Sequence, residues 1–303
     1  MPSDLVVHHA PAAAVAARLL STFADLKAPG LIHIARSERE ADELARALRC
    51  FDADIEVLVL PPWDCLPYDR TPPQRDCMGR RMAVLAAIDA EPNKRRLVVT
   101  SPAATLQSLP PAEIVREASF SILSGETLDR EALSAFLSRT GYILDDRVDE
   151  AGEAALLGDV IDIFPASDAF PVRIMLGERN VVEDLRTYDP ATQRTDDSVE
   201  SITFGSASEA IAPSGEESAE AASSQSMEAH MSALYGEMGT LFDRLPDFAV
   251  SLSEEAEERA DAALDLIDDA RQARREFGEG KTRGGDSYYL DAKTWKKALK
   301  SRK

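Results

Sequence analysis

Three uninterrupted apolar runs constrain this chain more than any other feature. LIHIA (Leu31–Ala35), IEVLVL (Ile55–Leu60) and RRLVVTS (Arg95–Ser101) lack the in–out alternation of a half-exposed strand. Such runs are buried on both faces, and the stretches between them read as helices. A parallel sheet covered on both sides, the α/β arrangement, follows for residues 1–117. Pro11–Leu26 is an Ala- and Leu-rich helix, preceded by a short strand candidate at Asp4–Val7. Ser37 with Glu40 three residues on is a capping box, opening a helix to about Cys50 whose Ala41, Leu44, Ala45 and Leu48 share one face. Met78–Ile88 and Ala103–Leu109 supply two further helices.

From residue 118 to 205 the pattern changes to short strand candidates at close spacing: FSIL, YILDDRV, DVIDIF, PVRIML, VVEDLRTY and VESITF. One helix, Asp129–Arg139 with Thr127 as its expected cap, interrupts them, so a mostly antiparallel α+β domain is predicted. Residues 206–227 are rich in Ser, Ala and Glu and hold no aromatic and no basic residue. That composition offers too little apolar surface to offset its ordering entropy, and predicts a flexible acidic linker. The segment 228–303 then reads as a helix (Glu228–Asp243), a strand (Phe248–Leu252), a long helix capped by Ser253 and ending near Phe277, and an amphipathic terminal helix carrying Trp295 and Leu299 on one side. Acids in the first turn of the long helix and arginines in its last complement the helix dipole.

Charge and missing motifs exclude several functions. Fifty-four acidic against 34 basic residues leave a net charge of −20, which repels polyanions and excludes a basic surface for non-specific nucleic-acid binding as the main role. Cys50, Cys65 and Cys77 form no C-x-x-C pair and no Cys/His metal spacing, so reduced thiols in a soluble, cytoplasmic protein are expected. No apolar run approaches a membrane span. A phosphate cradle needs glycines and a lysine, whereas the first strand-to-helix junction reads VVHHAPAAAV. GEGKTRGG (Gly278–Gly285) contains G-K-T, but Arg275 stands where a Walker A loop has its first glycine, and a helix precedes it instead of a strand. The acid pairs Asp145-Asp146, Asp196-Asp197, Glu254-Glu255 and Asp268-Asp269 read as solvated faces, and His33 as a satisfied core residue. No catalytic residue, metal ligand, cofactor or small-molecule substrate is expected, and the chain reads as a non-enzyme. The last 23 residues hold eight basic side chains against Asp286 and Asp291. They could touch DNA phosphate weakly, or fold onto the acidic helix at 254–269, and the second reading is preferred.

PPWDCLPYDRTPPQRDCMGRRM (Pro61–Met82) is a proline-stiffened loop in which Trp63 and Tyr68 either plug the sheet's end or form a recognition surface. Trp63-Asp64-Cys65-Leu66-Pro67-Tyr68-Asp69 resembles the N-terminal region of bacterial transcription-repair coupling factors (Mfd). Gly141-Tyr142, Val148, Gly152-Glu153, Gly158, Asp162-Ile163-Phe164-Pro165, Pro171-Val172-Arg173, Leu185-Arg186, Tyr188-Asp189 and Thr192-Gln193-Arg194-Thr195 follow that family's UvrB-interaction-type domain in order and spacing. Gly239-Thr240-Leu241-Phe242, Leu245-Pro246, Tyr289-Leu290-Asp291 and Trp295 extend the likeness into the tail.

The resemblance implies a UvrB-like module: a RecA-like domain 1a that has lost its nucleotide site (1–117), an inserted UvrA-docking domain 2 (118–205), and a domain 1b completing the core (228–303). It implies a non-catalytic interaction module of nucleotide excision repair with a UvrA-like partner and Arg147, Arg173 and Arg186 as charged contacts. Leu157 departs from the family, whose members carry a basic residue there, and Gly177 stands where they carry an aromatic. Two other readings remain open at this point: a piece of an ATP-driven DNA translocase whose motor is encoded elsewhere, and a degenerate paralogue with a changed partner.

Overall fold

Ser37 shows how locally the first region is specified. Its hydroxyl accepts the Glu40 N–H at 3.3 Å, and the Glu40 carboxylate accepts the Arg36 N–H at 2.7 Å. Ala41, Leu44, Ala45 and Leu48 all become buried on the helix opened there. The computed structural model describes residues 10–69, 71–211, 231, 234–277 and 288–300. The Asp4–Val7 strand, the His8-His9 junction and the GEGKTRGG loop lie outside the described residues.

In chain order the elements begin α1 (Ala12–Asp25), β1 (Gly30–Ile34), α2 (Glu38–Phe51), β2 (Glu56–Leu60), α3 (Arg75–Ala90), β3 (Arg96–Thr100), α4 (Pro102–Leu106) and α5 (Ala112–Glu117). Next come β4 (Ser119–Leu123), α6 (Arg130–Arg139), β5 (Ile143–Leu144), β6 (Glu153–Leu157), β7 (Val160–Ile163), β8 (Val172–Leu176), β9 (Val182–Tyr188), β10 (Thr195–Ser198) and β11 (Ser201–Gly205). The chain closes with α7 (Leu241–Arg244), β12 (Ala249–Leu252), α8 (Ala256–Phe277) and α9 (Ala292–Lys300). Residues 1–62, 88–109 and 238–303 form one unit, and residues 63–87 and 110–237 another.

The first unit is built on a parallel sheet in the order β12-β1-β3-β2. The apolar runs supply three of its strands, and every residue of β1 and β3 is buried. Ala16, Leu19 and Phe23 of α1 and Leu44 and Leu48 of α2 pack with Leu31, Leu97 and Val99 into one core. The chain's end is stitched onto α4: Leu290 N–H bonds the Leu106 carbonyl at 2.9 Å, and Ser108 N–H the Tyr288 carbonyl at 2.8 Å. Trp295 is fully buried there and donates its indole N–H to Thr105 Oγ1 at 2.8 Å. Next to Trp295 in α9, Lys296 reaches Asp261 of α8 at 3.0 Å, so the basic tail folds onto the acidic helix at this point.

His33 is a core residue, as its strand context predicts. Its Nδ1 lies 2.9 Å from Ser251 Oγ and its Nε2 3.2 Å from Ser253 Oγ. Ser253 therefore spends its hydroxyl on the imidazole, while its carbonyl accepts the Ala256 N–H at 3.2 Å. Burial holds the His33 imidazole down at about 4, against an ordinary 6.5. As pH falls below 6.5 the unfolded chain takes up this proton while the folded chain does not, so stability drops across the window from 6.5 to about 4. The slope approaches about 1.4 kcal/mol per pH unit and flattens below the window. Urea midpoints measured through that range fall for the native chain and fall less steeply for His33→Gln.

The second unit carries a six-stranded sheet in the order β10-β9-β8-β7-β6-β5, antiparallel except for the short parallel pair β5·β6, with β4 and β11 forming a separate antiparallel ribbon. The expectation of a mostly antiparallel α+β arrangement holds. Two strands escaped the sequence reading. In β6 the residues are Glu-Ala-Ala-Leu-Leu, and alanine carries little strand preference; Ala154 packs into the main core of the unit and Ala155, on the other face, against Val148 and Phe164. In β10, Thr-Asp-Asp-Ser is an entirely exposed edge. Helix α6 is capped by Asp129, whose carboxylate accepts the Ala132 N–H at 2.9 Å, and not by Thr127, which pairs with Val181 in an isolated bridge. Phe120, Phe136, Tyr142 and Phe204 interlock beneath the sheet, with Phe136 and Phe204 edge-to-face at 5.7 Å.

The linker expectation is corrected over its first six residues. Ser206, Ala207, Ser208, Glu209 and Ile211 are buried. The Ser206 hydroxyl donates to the Thr140 carbonyl at 3.0 Å, and the Glu209 carboxylate receives both Arg81 of α3 and the Trp63 indole N–H, the latter at 2.7 Å. Polar composition hid a segment that packs on Thr140, 66 residues away, and on Arg81 and Trp63, more than a hundred residues away. Residues 212–227 lie outside the described residues. Gly79 lets α3 approach the loop after β7, for a Cβ at that position would stand 2.6 Å from the Ala166 carbonyl carbon.

Candidate interaction face

Strand alternation sorts the six-stranded sheet into two faces. Ala154, Ile161, Ile163, Val172, Ile174, Leu176, Val182 and Leu185 point into the core. Their neighbours point outward, and the strand registers line them up in rows. One row runs Leu157–Val160–Met175–Asp184, and the next Ala155–Asp162–Arg173–Arg186–Ser198. A two-residue hairpin at Gly158 (φ +58°) joins β6 to β7 and leaves Leu157 at the sheet's rim.

Arg173 is the most constrained of the expected charged contacts. Its Nε and terminal nitrogen reach the two Asp162 carboxylate oxygens at 2.8 and 2.7 Å, and the terminal nitrogen also reaches Gln193 Oε1 at 3.1 Å. The guanidinium stacks 4.6 Å over the Tyr188 ring. The Asp162 hydrogen bonds hold Arg173 above the ordinary guanidinium range, and burial pushes the Tyr188 phenol up. Arg186 pairs with Asp184 at 2.6 Å and Arg147 with Asp149 at 2.8 Å, both on exposed surface. Gly177 ends β8, and its N–H bonds the Val181 carbonyl at 2.8 Å; a side chain placed there would collide with Glu183. Leu157 is 52% exposed.

Arg173, Arg186 and Leu157 therefore share one face. Trp63 does not present a recognition surface: it is buried, with its N–H donated to Glu209. Tyr68 sits half-buried at φ +59° in a turn closed by Asp69 N–H on the Leu66 carbonyl at 3.1 Å. Asp162, Val160, Met175 and Tyr188 were missed as members of the face, although the alternation in V-I-D-I and V-R-I-M-L carries the signal. Among the described residues, no group of three or more His, Cys, Asp and Glu is placed to hold a metal ion, and no helix is long and apolar enough to cross a membrane. Cys77 is buried, which pushes its thiol up to about 12.

Residues 120–209, which include all the strands of this sheet, match the family model of the UvrB interaction domain. Over a longer stretch the chain is similar to transcription-repair-coupling factors, resembling their N-terminal module. It is 32% identical over 170 residues to the one from Escherichia coli (strain K12), a match covering 54% of this chain and 14% of that protein. With the factor from Mycobacterium tuberculosis (strain CDC 1551 / Oshkosh) it shares 32% over 189 residues, 60% of this chain and 15% of the relative. With that from Bacillus subtilis (strain 168) it shares 27% over 177 residues, 58% and 14% respectively. The matched stretch is thus a small part of each relative's length.

Proposed function

We propose that the chain is a non-catalytic docking module of transcription-coupled nucleotide excision repair, and that the outward face of β6–β9 receives a UvrA-type protein. The observation that carries this reading is the coincidence of the UvrB interaction domain match with the outward face of that sheet, which carries Leu157, Arg173 and Arg186. In this reading residues 1–117 are a degenerate RecA-like domain 1a, 118–205 domain 2, and 228–303 domain 1b, in a cytoplasmic protein that works by being bound. The pairing of Lys296 with Asp261 supports the tail's role within the fold over a role on DNA. Interferometry with the immobilised chain against purified UvrA tests the proposal. Saturable binding is expected; no binding up to tens of micromolar overturns it.

A further inference from the structure

We infer that the anchor of this face is the uncharged row Leu157–Val160–Met175, and that its occupant, the UvrA-type protein of the reading above, meets it with an apolar surface instead of an array of charge. The inference rests on that docking reading and concerns what drives the contact.

The row is made by register. Leu157 pairs with Val160 and Val160 with Met175, so three apolar side chains stand side by side across three adjacent strands, spaced by about 4.8 Å per strand. Leu157 and Met175 are 52% and 41% exposed, whereas Ala154, Ile161 and Ile174, their inward-facing counterparts on the same strands, are fully buried. The sheet fixes the backbone beneath Leu157 and Met175 before any partner arrives, and methionine adapts its shape to a partner.

The neighbouring charges are already engaged within the sheet. A partner recruiting Arg173 would have to displace two charge-assisted hydrogen bonds to Asp162, a third bond to Gln193 and the stack on Tyr188. Arg186 and Asp184 likewise satisfy each other beside Met175. Asp162 with Arg173 in the adjacent row, and Asp184 at the end of the apolar row with Arg186, thus form two internally matched pairs, on a chain that carries −20 in all. Charge complementarity then favours a partner patch that is itself uncharged where it covers Leu157 and Met175. Paired charges at the margin orient such a contact, and apolar residues at its centre hold it.

The test measures UvrA affinity for the native chain and for Leu157→Asp, Met175→Asp and Leu157→Met, each checked for native circular dichroism and thermal midpoint. Both positions are exposed, so the variants leave the core untouched. The expected result is a loss of at least about tenfold for each Asp variant, the scale of an interface anchor. Leu157→Met retains affinity, and raising salt weakens the native complex only slightly, as for contacts not carried by charge. If the native chain binds but the Asp variants bind equally well, or if salt abolishes binding, the apolar anchor is overturned and the docking reading stands. Absence of binding by the native chain overturns both.

Discussion

Glu209→Ala lowers the stability of the fold by about 3–5 kcal/mol, read as a shift of the urea denaturation midpoint followed by circular dichroism. The Glu209 and Arg81 side chains are both completely buried, and their ion pair joins the 206–211 segment to α3. The same carboxylate accepts the Trp63 indole N–H, and the Arg81 guanidinium lies 5.6 Å from the Trp63 ring centre. Taking the carboxylate away removes this counter-charge from a desolvated guanidinium and this acceptor from the indole. The large effect comes from that asymmetry, since a buried pair is worth little against an apolar replacement while breaking it is costly. Accordingly, the double variant Arg81→Met/Glu209→Met is expected to lose less than the two single variants together. If Glu209→Ala melts with the native chain, Glu209 is not the fastening of this segment.

Trp295→Ala costs a similar amount, about 3–5 kcal/mol, for the largest fully buried side chain among the described residues. The loss combines a cavity beneath α9 with the removal of a hydrogen bond to Thr105, whose own hydroxyl donates to the Pro102 carbonyl at 2.7 Å. Trp295→Phe fills most of the space and gives up only the bond, so its expected loss is about 1–2 kcal/mol beyond the change in packing. Thermal unfolding of the three proteins orders them native, Phe, Ala. A midpoint for Trp295→Ala within a degree of the native one would show that the terminal helix contributes nothing to the first unit.

These two sites also mark what the sequence discloses and what it conceals. Trp295 and Leu299 lie four residues apart in a lysine-rich stretch, and that spacing alone identifies the buried side of α9. The parallel strands are equally plain, because a continuous apolar run has few other ways to be buried, and α2 declares its start through Ser37 and Glu40. Glu209 is concealed because its partner is 128 residues away. Nothing local to Ser-Ala-Ser-Glu-Ala-Ile distinguishes a packed segment from a linker. The same holds on the interaction face: Arg173 stands out as a basic residue in a strand, but only the β7–β8 register reveals that Asp162 holds it. Trp63 misleads in the opposite direction, since an aromatic in a proline-rich loop looks available until its N–H is seen to be engaged.

An outward-facing apolar row on a sheet invites one danger, which β10 removes. Every residue of Thr195–Ser198 is exposed, and two of the four are aspartates. A second molecule attempting to lengthen the ladder there would bring carboxylates to within about 4.8 Å of their own kind. At the other margin β5 is only two residues long, too short to template a neighbour. The sheet is closed to growth along its hydrogen-bonding direction and open only across its face, so the molecule can display a greasy stripe without seeding fibres of itself.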